Sequence, residues 1–307
     1  MLPGHRDDTI VRVLSSPELW MSVAGIAILV AGLAMRRREL HAARGLNKLV
    51  ACAPVFIAAS IAAFAPEHFR GPQFVQDMVP SWMPVHALWA PFVGCALLAA
   101  AASLALRIAD ELAALLLGLM FFLFVCMIYL PSLIENLDER MAWIFVLRDG
   151  SFCAGAWALT RSKPLHVFSR VVIATAAVFY GVQHVLHPEF SPGVPLTMPT
   201  PSWLPLPEVW DYLTGVILVA GGIGVALGKR SGAIAIGAWM TALTALLYLP
   251  LAVVASADEL NGAINYVADT LLFAGSVLAV AHVDGGVTQA RRAPAHTSAD
   301  GTAVAKK

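Results

Sequence analysis

The chain has 307 residues, of which 59% are hydrophobic and 13% charged, and its formal net charge is zero. Soluble domains are typically about 45–50% apolar and about 25% charged, so the composition excludes an ordinary soluble domain. A zero net charge provides no basic surface field, and we expect no nucleic-acid partner. The apolar residues form blocks of about 20, which is the length of a helix that crosses a bilayer. The sequence therefore predicts an all-α polytopic membrane protein.

Nine membrane spans are predicted in chain order. The first covers residues 18–35 and is followed by a basic cluster that starts at Arg36. Because a cleaved signal peptide carries its basic residues before the apolar run, we interpret this span as a retained anchor. The other predicted spans are 49–65, 86–106, 110–130, 142–160, 168–186, 209–228, 232–252 and 262–282.

The positions of Lys and Arg predict the orientation of these spans. A nine-span topology places 15 of the 20 Lys and Arg residues on one side. Basic residues accumulate in cytoplasmic loops, so we expect the N-terminus outside and the C-terminus in the cytoplasm. The long loop 187–208, which would lie outside, contains no Lys or Arg. We expect a multi-pass protein of the bacterial cytoplasmic (inner) membrane.

Short motifs recur about 120 residues apart and indicate a duplication. The matched pairs are Glu67-His68 with Gln183-His184, Trp82 with Trp203, Trp89 with Trp210, Tyr129-Leu130-Pro131 with Tyr248-Leu249-Pro250, Asp149 with Asp269, and Gly155 with Gly275. Four helices per copy give both copies the same orientation, which predicts a parallel tandem repeat.

The duplication divides the chain into four predicted parts. An outer tail, the anchor and a basic cytoplasmic loop occupy 1–48. The first four-helix repeat covers 49–160 and the second covers 161–284. A disordered cytoplasmic tail, rich in Ala, Thr and Lys, is predicted for 285–307.

The second copy also carries a family resemblance. Its relevant residues are Arg170, the run Phe179-Tyr-Gly-Val-Gln-His184, the Pro-rich loop, Trp210 with Leu213-Thr-Gly215, and the turn Gly228-Lys-Arg230. This arrangement resembles the DoxX-like family of small four-helix membrane proteins, here duplicated. The first copy departs from it at Pro66 and Glu67, which replace the Gly-containing turn. The resemblance implies the fold, and an association with membrane redox chemistry, because some members are linked to quinol-dependent or thiol-related systems.

The most informative polar residue inside a predicted span is Asp269. An ionisable group in a span is costly and indicates a functional site. An alternative interpretation is that this carboxylate locks the four-helix unit through bonds to its neighbours, and the presence of Asp149 in the first copy fits that interpretation. Asn261, Asn265 and Asp269 follow a spacing of four residues and share one helix face.

A ligand pocket is predicted in the second copy, near the outer leaflet. The first copy has apolar residues, such as Met141 and Phe145, where the second has the asparagines. The predicted ligand-binding residues are Tyr180, Gln183, His184, Trp203, Trp210, Asn265, Tyr266 and Asp269. The matched residues His68, Trp82, Trp89 and Asp149 are expected to be structural equivalents.

A quinone or a small lipid fits these residues best. His and Tyr hydrogen-bond a carbonyl, Asp exchanges a proton, and Trp203 and Trp210 would enclose a ring. Anchoring at the membrane interface is the alternative role of the tryptophans. A lone His184/His187 pair is weak evidence for a metal with Asp269, so no metal site is predicted. A small-solute transporter and a non-catalytic scaffold, with no protein partner identified, remain the alternative functions.

Overall fold

The structure is a computed structural model that describes residues 16–70 and 73–292. Over these residues the chain is helical, and no strand occurs in this described part. The long helices are α1 (Pro17–Met35), α2 (Asn47–Phe64), α3 (Trp89–Leu106), α4 (Asp110–Phe124, continued by Val125–Tyr129 and Leu130–Glu135), α5 (Arg140–Ala158), α6 (Lys163–Leu186), α7 (Pro207–Ala226), α8 (Arg230–Leu243, continued by Thr244–Tyr248 and Leu249–Val254) and α9 (Leu260–Arg292). The short helices are Arg37–Ala42, Glu67–Arg70, Gln73–Asp77 and the 3₁₀ turn His86–Leu88.

Eight of the long helices described here are long and apolar enough to cross a membrane. This finding confirms the prediction of an integral membrane protein with several helical spans. The helix outside this set is α5, which is 19 residues long. Arg148 and Asp149 in its centre lower its hydropathy, although the helix itself forms where the fifth span was predicted.

Helices α2–α5 form a first helix group, and α6–α9 form a second. Within each group, consecutive helices pack against one another. In the described part of the chain, the first and last helices of each group make few close contacts. Instead, α9 packs along α2, α5 packs along α6, and α5 also crosses α9. Two five-helix rings therefore share α5 and α9, and α9 forms one wall of the first helix group.

Two glycines allow these helices to approach closely. A Cβ atom on Gly155 of α5 would lie 2.6 Å from the Cα of Ser276 on α9. A Cβ atom on Gly275 of α9 would lie 3.0 Å from the Cβ of Phe56 on α2. Small residues at helix crossings let backbones pack without a hydrophobic driving force between them. The matched pair Gly155 and Gly275 thus lies at the crossings that join the two helix groups.

Helix α1 lies on the outside of the bundle, against α2 and α3. Most of its side chains are not buried, although Met21 is. A Cβ atom on Gly32 would lie 2.8 Å from Val55 Cγ1, so this glycine is needed for the close approach to α2. Helix α1 therefore lies outside both five-helix rings.

A widened π-helical turn interrupts α4 and α8 at matched positions. The turns are Val125–Tyr129 and Thr244–Tyr248, and each is followed by a Leu-Pro pair. Proline has no N–H to donate to the preceding turn, which favours such an irregularity. Both turns end at the tyrosines of the matched Tyr-Leu-Pro motifs.

The last helix is longer than predicted. Helix α9 continues to Arg292, beyond the predicted span end at 282 and into the predicted tail. Residues 1–15 of the outer tail and 293–307 of the disordered tail lie outside the described residues.

Candidate functional site

The first helix group encloses a cavity of about 770 Å³. This volume lies in the range of small-molecule sites, roughly 300–1,000 Å³. Its walls come from α2, α3, α4, α5 and α9, from the segment between α2 and α3, and from Pro195 in the loop between α6 and α7. Most of the lining is apolar, including Phe64, Trp89, Met120, Phe124 and Phe145. The cavity therefore suits a hydrophobic molecule.

Charged side chains cluster in one part of the cavity wall, which we call its charged end, and Arg148 is at the centre of this cluster. The Nε and Nη2 atoms of Arg148 donate to Oδ1 of Asp269 over 2.8 and 2.6 Å. Its Nη1 atom donates to Oδ2 of Asp149 over 3.3 Å. Both carboxylates are buried, and the Arg148 side chain is 19% exposed. The pairing of Arg148 with Asp269 joins the two helix groups, and it was not predicted from the sequence.

The polar stripe of α9 also faces the first helix group. Oε1 of the buried Glu67 accepts from Nδ2 of Asn261 over 2.9 Å and from Nδ2 of Asn265 over 2.8 Å. Nδ2 of Asn265 also donates to Oδ1 of Asn261 over 3.1 Å. The predicted common face of Asn261, Asn265 and Asp269 is therefore present. Sequence reasoning missed Glu67 as its partner, although an acidic residue at the end of an apolar run was a signal.

His184 of the second helix group lies in a sealed polar site. Its Nδ1 atom is 3.0 Å from Oδ1 of Asp211, and both side chains are fully buried. Its Nε2 atom is 3.1 Å from the carbonyl oxygen of Gly193. Asp211 was not predicted, although it is an acidic residue inside an apolar span. The pair fixes α6 to α7 and to the loop between them.

The segment 191–196, which we call the inserted loop, fills the interior of the second helix group. All six of its residues are buried. The Pro192 carbonyl accepts from Oη of Tyr248 over 3.0 Å, and the Val194 carbonyl accepts from Oγ1 of Thr270 over 2.9 Å. The chain's own backbone therefore occupies the interior of the second helix group, where a ligand pocket was predicted.

The residues predicted to form a ligand site in the second copy lie in different places. Asn265, Tyr266 and Asp269 line the cavity of the first helix group, whereas His184 is not among the lining residues. The physical reason is that α9 packs along α2 and turns its polar face away from α6, while the inserted loop closes the second group. The predicted polar face is present, and its hydrogen-bond partners are Arg148 of α5 and Glu67.

The other predicted ligand-binding residues are also away from the cavity lining. The buried Tyr180 donates from Oη to the Ile144 carbonyl over 2.8 Å, and Gln183 is partly buried. Trp203 is 50% exposed. The Trp210 ring stacks on Trp239, with a centroid distance of 6.1 Å. These residues hold helices together or face outward.

Three of the four expected structural equivalents line the cavity: His68, Trp89 and Asp149. Trp82 is 70% exposed, as its match Trp203 is exposed. Nε1 of Trp89 donates to the Pro84 carbonyl over 2.8 Å. Three residues that we expected to be structural thus line the same cavity as Asn265, Tyr266 and Asp269.

The histidines considered for a metal take separate partners. His184 binds Asp211, and Nδ1 of His187 is 3.1 Å from Oε1 of Glu189 in the loop outside the spans. Backbone hydrogen bonding and the bond from His187 lower the pKa of Glu189. Across residues 16–70 and 73–292, no group of three or more His, Cys, Asp or Glu side chains is arranged to hold a metal ion.

The candidate site is thus a cavity with a charged end in the first helix group. The interior of the second helix group is filled by the inserted loop. In comparisons with models of protein families, with curated proteins and with solved structures, no significant match was found.

Proposed function

We propose that this integral membrane protein is of the DoxX-like type and binds a quinone or another small lipid in the cavity of the first helix group. One observation carries the proposal: a cavity of about 770 Å³ has an apolar, aromatic body and a charged end. Ligand sites combine such walls with a few polar groups that fix orientation. A molecule with a hydrophobic chain and a polar head matches both parts.

Several polar groups in the cavity lining suit a quinone head. Tyr129 and His68 line the cavity and are able to hydrogen-bond to its oxygens. Asp149, beside Arg148, is positioned to exchange a proton with the same region. A role in membrane redox chemistry is part of this proposal, and the redox change itself would belong to the bound quinone.

The fold proposal is a tandem duplication with nine spans. It is supported by the matched π-helical turns and by the two rings that share α5 and α9. Although α5 is less apolar than the other long helices, it packs between α4, α6 and α9. Its charges therefore point to partners inside the bundle, which is the arrangement expected for ionisable groups in a span.

The orientation is testable at two loops. With nine spans and the N-terminus outside, Ser256 lies outside and Ser162 lies in the cytoplasm; if α5 did not cross the membrane, both positions would exchange sides. We expect an impermeant maleimide to label Ser256→Cys in intact cells, in a chain whose four native cysteines are replaced by alanine. Ser162→Cys should react only after lysis. The reverse pattern would exclude nine spans with the N-terminus outside.

Ligand binding is tested by extracting purified, detergent-solubilised protein and identifying bound molecules by mass spectrometry. Val93→Trp places a large side chain at a cavity-lining position of α3. Leu98→Trp, on the exposed side of the same helix, is the control. We expect the wild type and Leu98→Trp to retain a bound molecule and Val93→Trp to lose it. Equal retention by both variants, or an empty wild-type protein, would contradict the proposal.

Transport of a small solute is the second candidate function. The observation in its favour is the Arg148–Asp269 pair, which places charge inside the bundle between the two helix groups. Intramembrane ion pairs often mark solute or proton paths. If the chain is a transporter, proteoliposomes should show solute uptake that Asp269→Asn abolishes. Uptake that is insensitive to this change would exclude the pair from the path.

A further inference from the structure

The inserted loop shows which chemical group the interior of a helix group holds. The loop contacts the surrounding side chains mainly through backbone carbonyl oxygens. The carbonyl of Pro192 accepts from Tyr248, and that of Gly193 lies against His184. The N–H of Gly193 also donates to Nε2 of His184 over 3.3 Å. In the second helix group, a tyrosine therefore donates to a loop carbonyl, and a histidine contacts the backbone of the next residue beside it.

The first helix group has the same two residue types at the matched positions. Tyr129 ends the π-helical turn of α4, as Tyr248 ends that of α8. His68, in the short helix that follows α2, corresponds to His184 in the last turn of α6. Both Tyr129 and His68 line the cavity. The inserted loop fills the interior of the second helix group, whereas the first helix group has a cavity.

Local contacts keep both side chains in place without a guest. The Tyr129 ring stacks on Phe145 of α5 with a centroid distance of 6.0 Å. Nδ1 of His68 is 3.1 Å from the Phe64 carbonyl; since a carbonyl only accepts, Nδ1 carries the proton in this bond. Nε2 is then the His68 nitrogen that remains for a ligand. The site is thus preorganised, which reduces the entropy cost of binding.

We propose that the molecule in the first cavity presents a carbonyl oxygen to the Tyr129 hydroxyl, next to His68, in the position that the inserted loop takes in the second helix group. This inference rests on the proposed ligand binding and specifies the head group. The shared chemistry is a carbonyl on an apolar body. A quinone and an ester lipid are its two sources.

The experiment uses the full chain in detergent and three ligands with the same chain length. Decylbenzoquinone carries quinone carbonyls, monodecanoylglycerol carries an ester carbonyl, and decylbenzene carries neither. Tyr129→Phe removes the hydroxyl and keeps the ring on Phe145. Tyr248→Phe is the matched control, because it removes the same atom beneath the inserted loop. Dissociation constants are measured by equilibrium dialysis, and melting temperatures are measured for each variant.

We expect Tyr129→Phe to weaken binding of a carbonyl ligand about 3- to 10-fold, the value of one hydrogen bond, and to leave decylbenzene unchanged. Tyr248→Phe should lower the melting temperature and leave all three affinities unchanged. The carbonyl ligand that binds more tightly identifies the source. If decylbenzene binds as tightly as the carbonyl ligands and Tyr129→Phe changes nothing, the head-group inference is wrong while the cavity still binds. If none of the three binds, the proposed function fails as well.

Discussion

Arg148 and Asp269 are 121 residues apart in the chain, yet the guanidinium of Arg148 donates two hydrogen bonds to one carboxylate oxygen of Asp269. The pair joins the last helix of each group and lies at the charged end of the cavity. One residue of the pair comes from each half of the chain. The same contact therefore holds the two helix groups together and shapes the candidate site.

Removal of Arg148 should strongly destabilise the protein. Arg148→Met leaves the buried Asp149 and Asp269 without their cationic partner, and breaking a buried ion pair costs about 3–5 kcal/mol. The free energy of unfolding in detergent, measured with denaturant, checks the expectation. Asp269→Asn should cost less in the Arg148→Met background than in the wild type. Strictly additive losses would show that the two side chains are not coupled.

Glycine substitutions on α5 should separate a packed position from an open one. A Cβ atom at Gly155 would overlap with α9, whereas at Gly150 its nearest neighbour would be Val172 Cγ1 at 3.6 Å. We expect Gly155→Ala to lower the unfolding free energy by about 1–3 kcal/mol, as overpacking does. Gly150→Ala is the control and should be neutral or stabilising, because alanine favours helix. Equal effects at both positions would contradict the observed α5–α9 crossing.

Glu67 should stabilise the fold more through the oxygen that accepts from two asparagines than through its negative charge. Glu67→Gln retains an oxygen for Asn261 and Asn265, whereas Glu67→Leu leaves both amides without this acceptor. A lost partner for buried polar groups costs about 1–3 kcal/mol. Thermal unfolding should therefore show a large loss for Glu67→Leu and a small one for Glu67→Gln. Equal losses would assign the stabilisation to the negative charge.

Loss of the His184 imidazole should release the inserted loop. Ser191 is 1% exposed, so Ser191→Cys in a chain without other cysteines should react slowly with a maleimide. Adding His184→Ala removes the contacts to Asp211 and Gly193, and we expect labelling to become faster. His187→Ala is the control, because this half-exposed ring pairs only locally with Glu189. Labelling that stays slow in both variants would show that other bonds hold the loop.

Some of the site could be predicted because helix periodicity decides which residues share a face. Asn261, Asn265 and Asp269 were placed on one face from their spacing alone. The same reasoning could not identify Glu67 and Arg148 as their partners, because a polar stripe does not specify which helix lies opposite. The missed residue Asp211 shows a similar limit. Its role became visible only when α7 was placed next to His184.

Hydropathy and local spacing, which are properties of the sequence alone, determined that this chain forms long apolar helices of membrane-spanning length and that α9 has a polar face. Tertiary structure decided where the open space lies. Helix α9 crosses to α2 and brings Asp269 to Arg148, while residues 191–196 fold into the second helix group. Both outcomes depend on packing between segments far apart in the chain. Local periodicity contains no information about such packing, so it could not predict that Asn265, Tyr266 and Asp269 line a cavity of the first helix group.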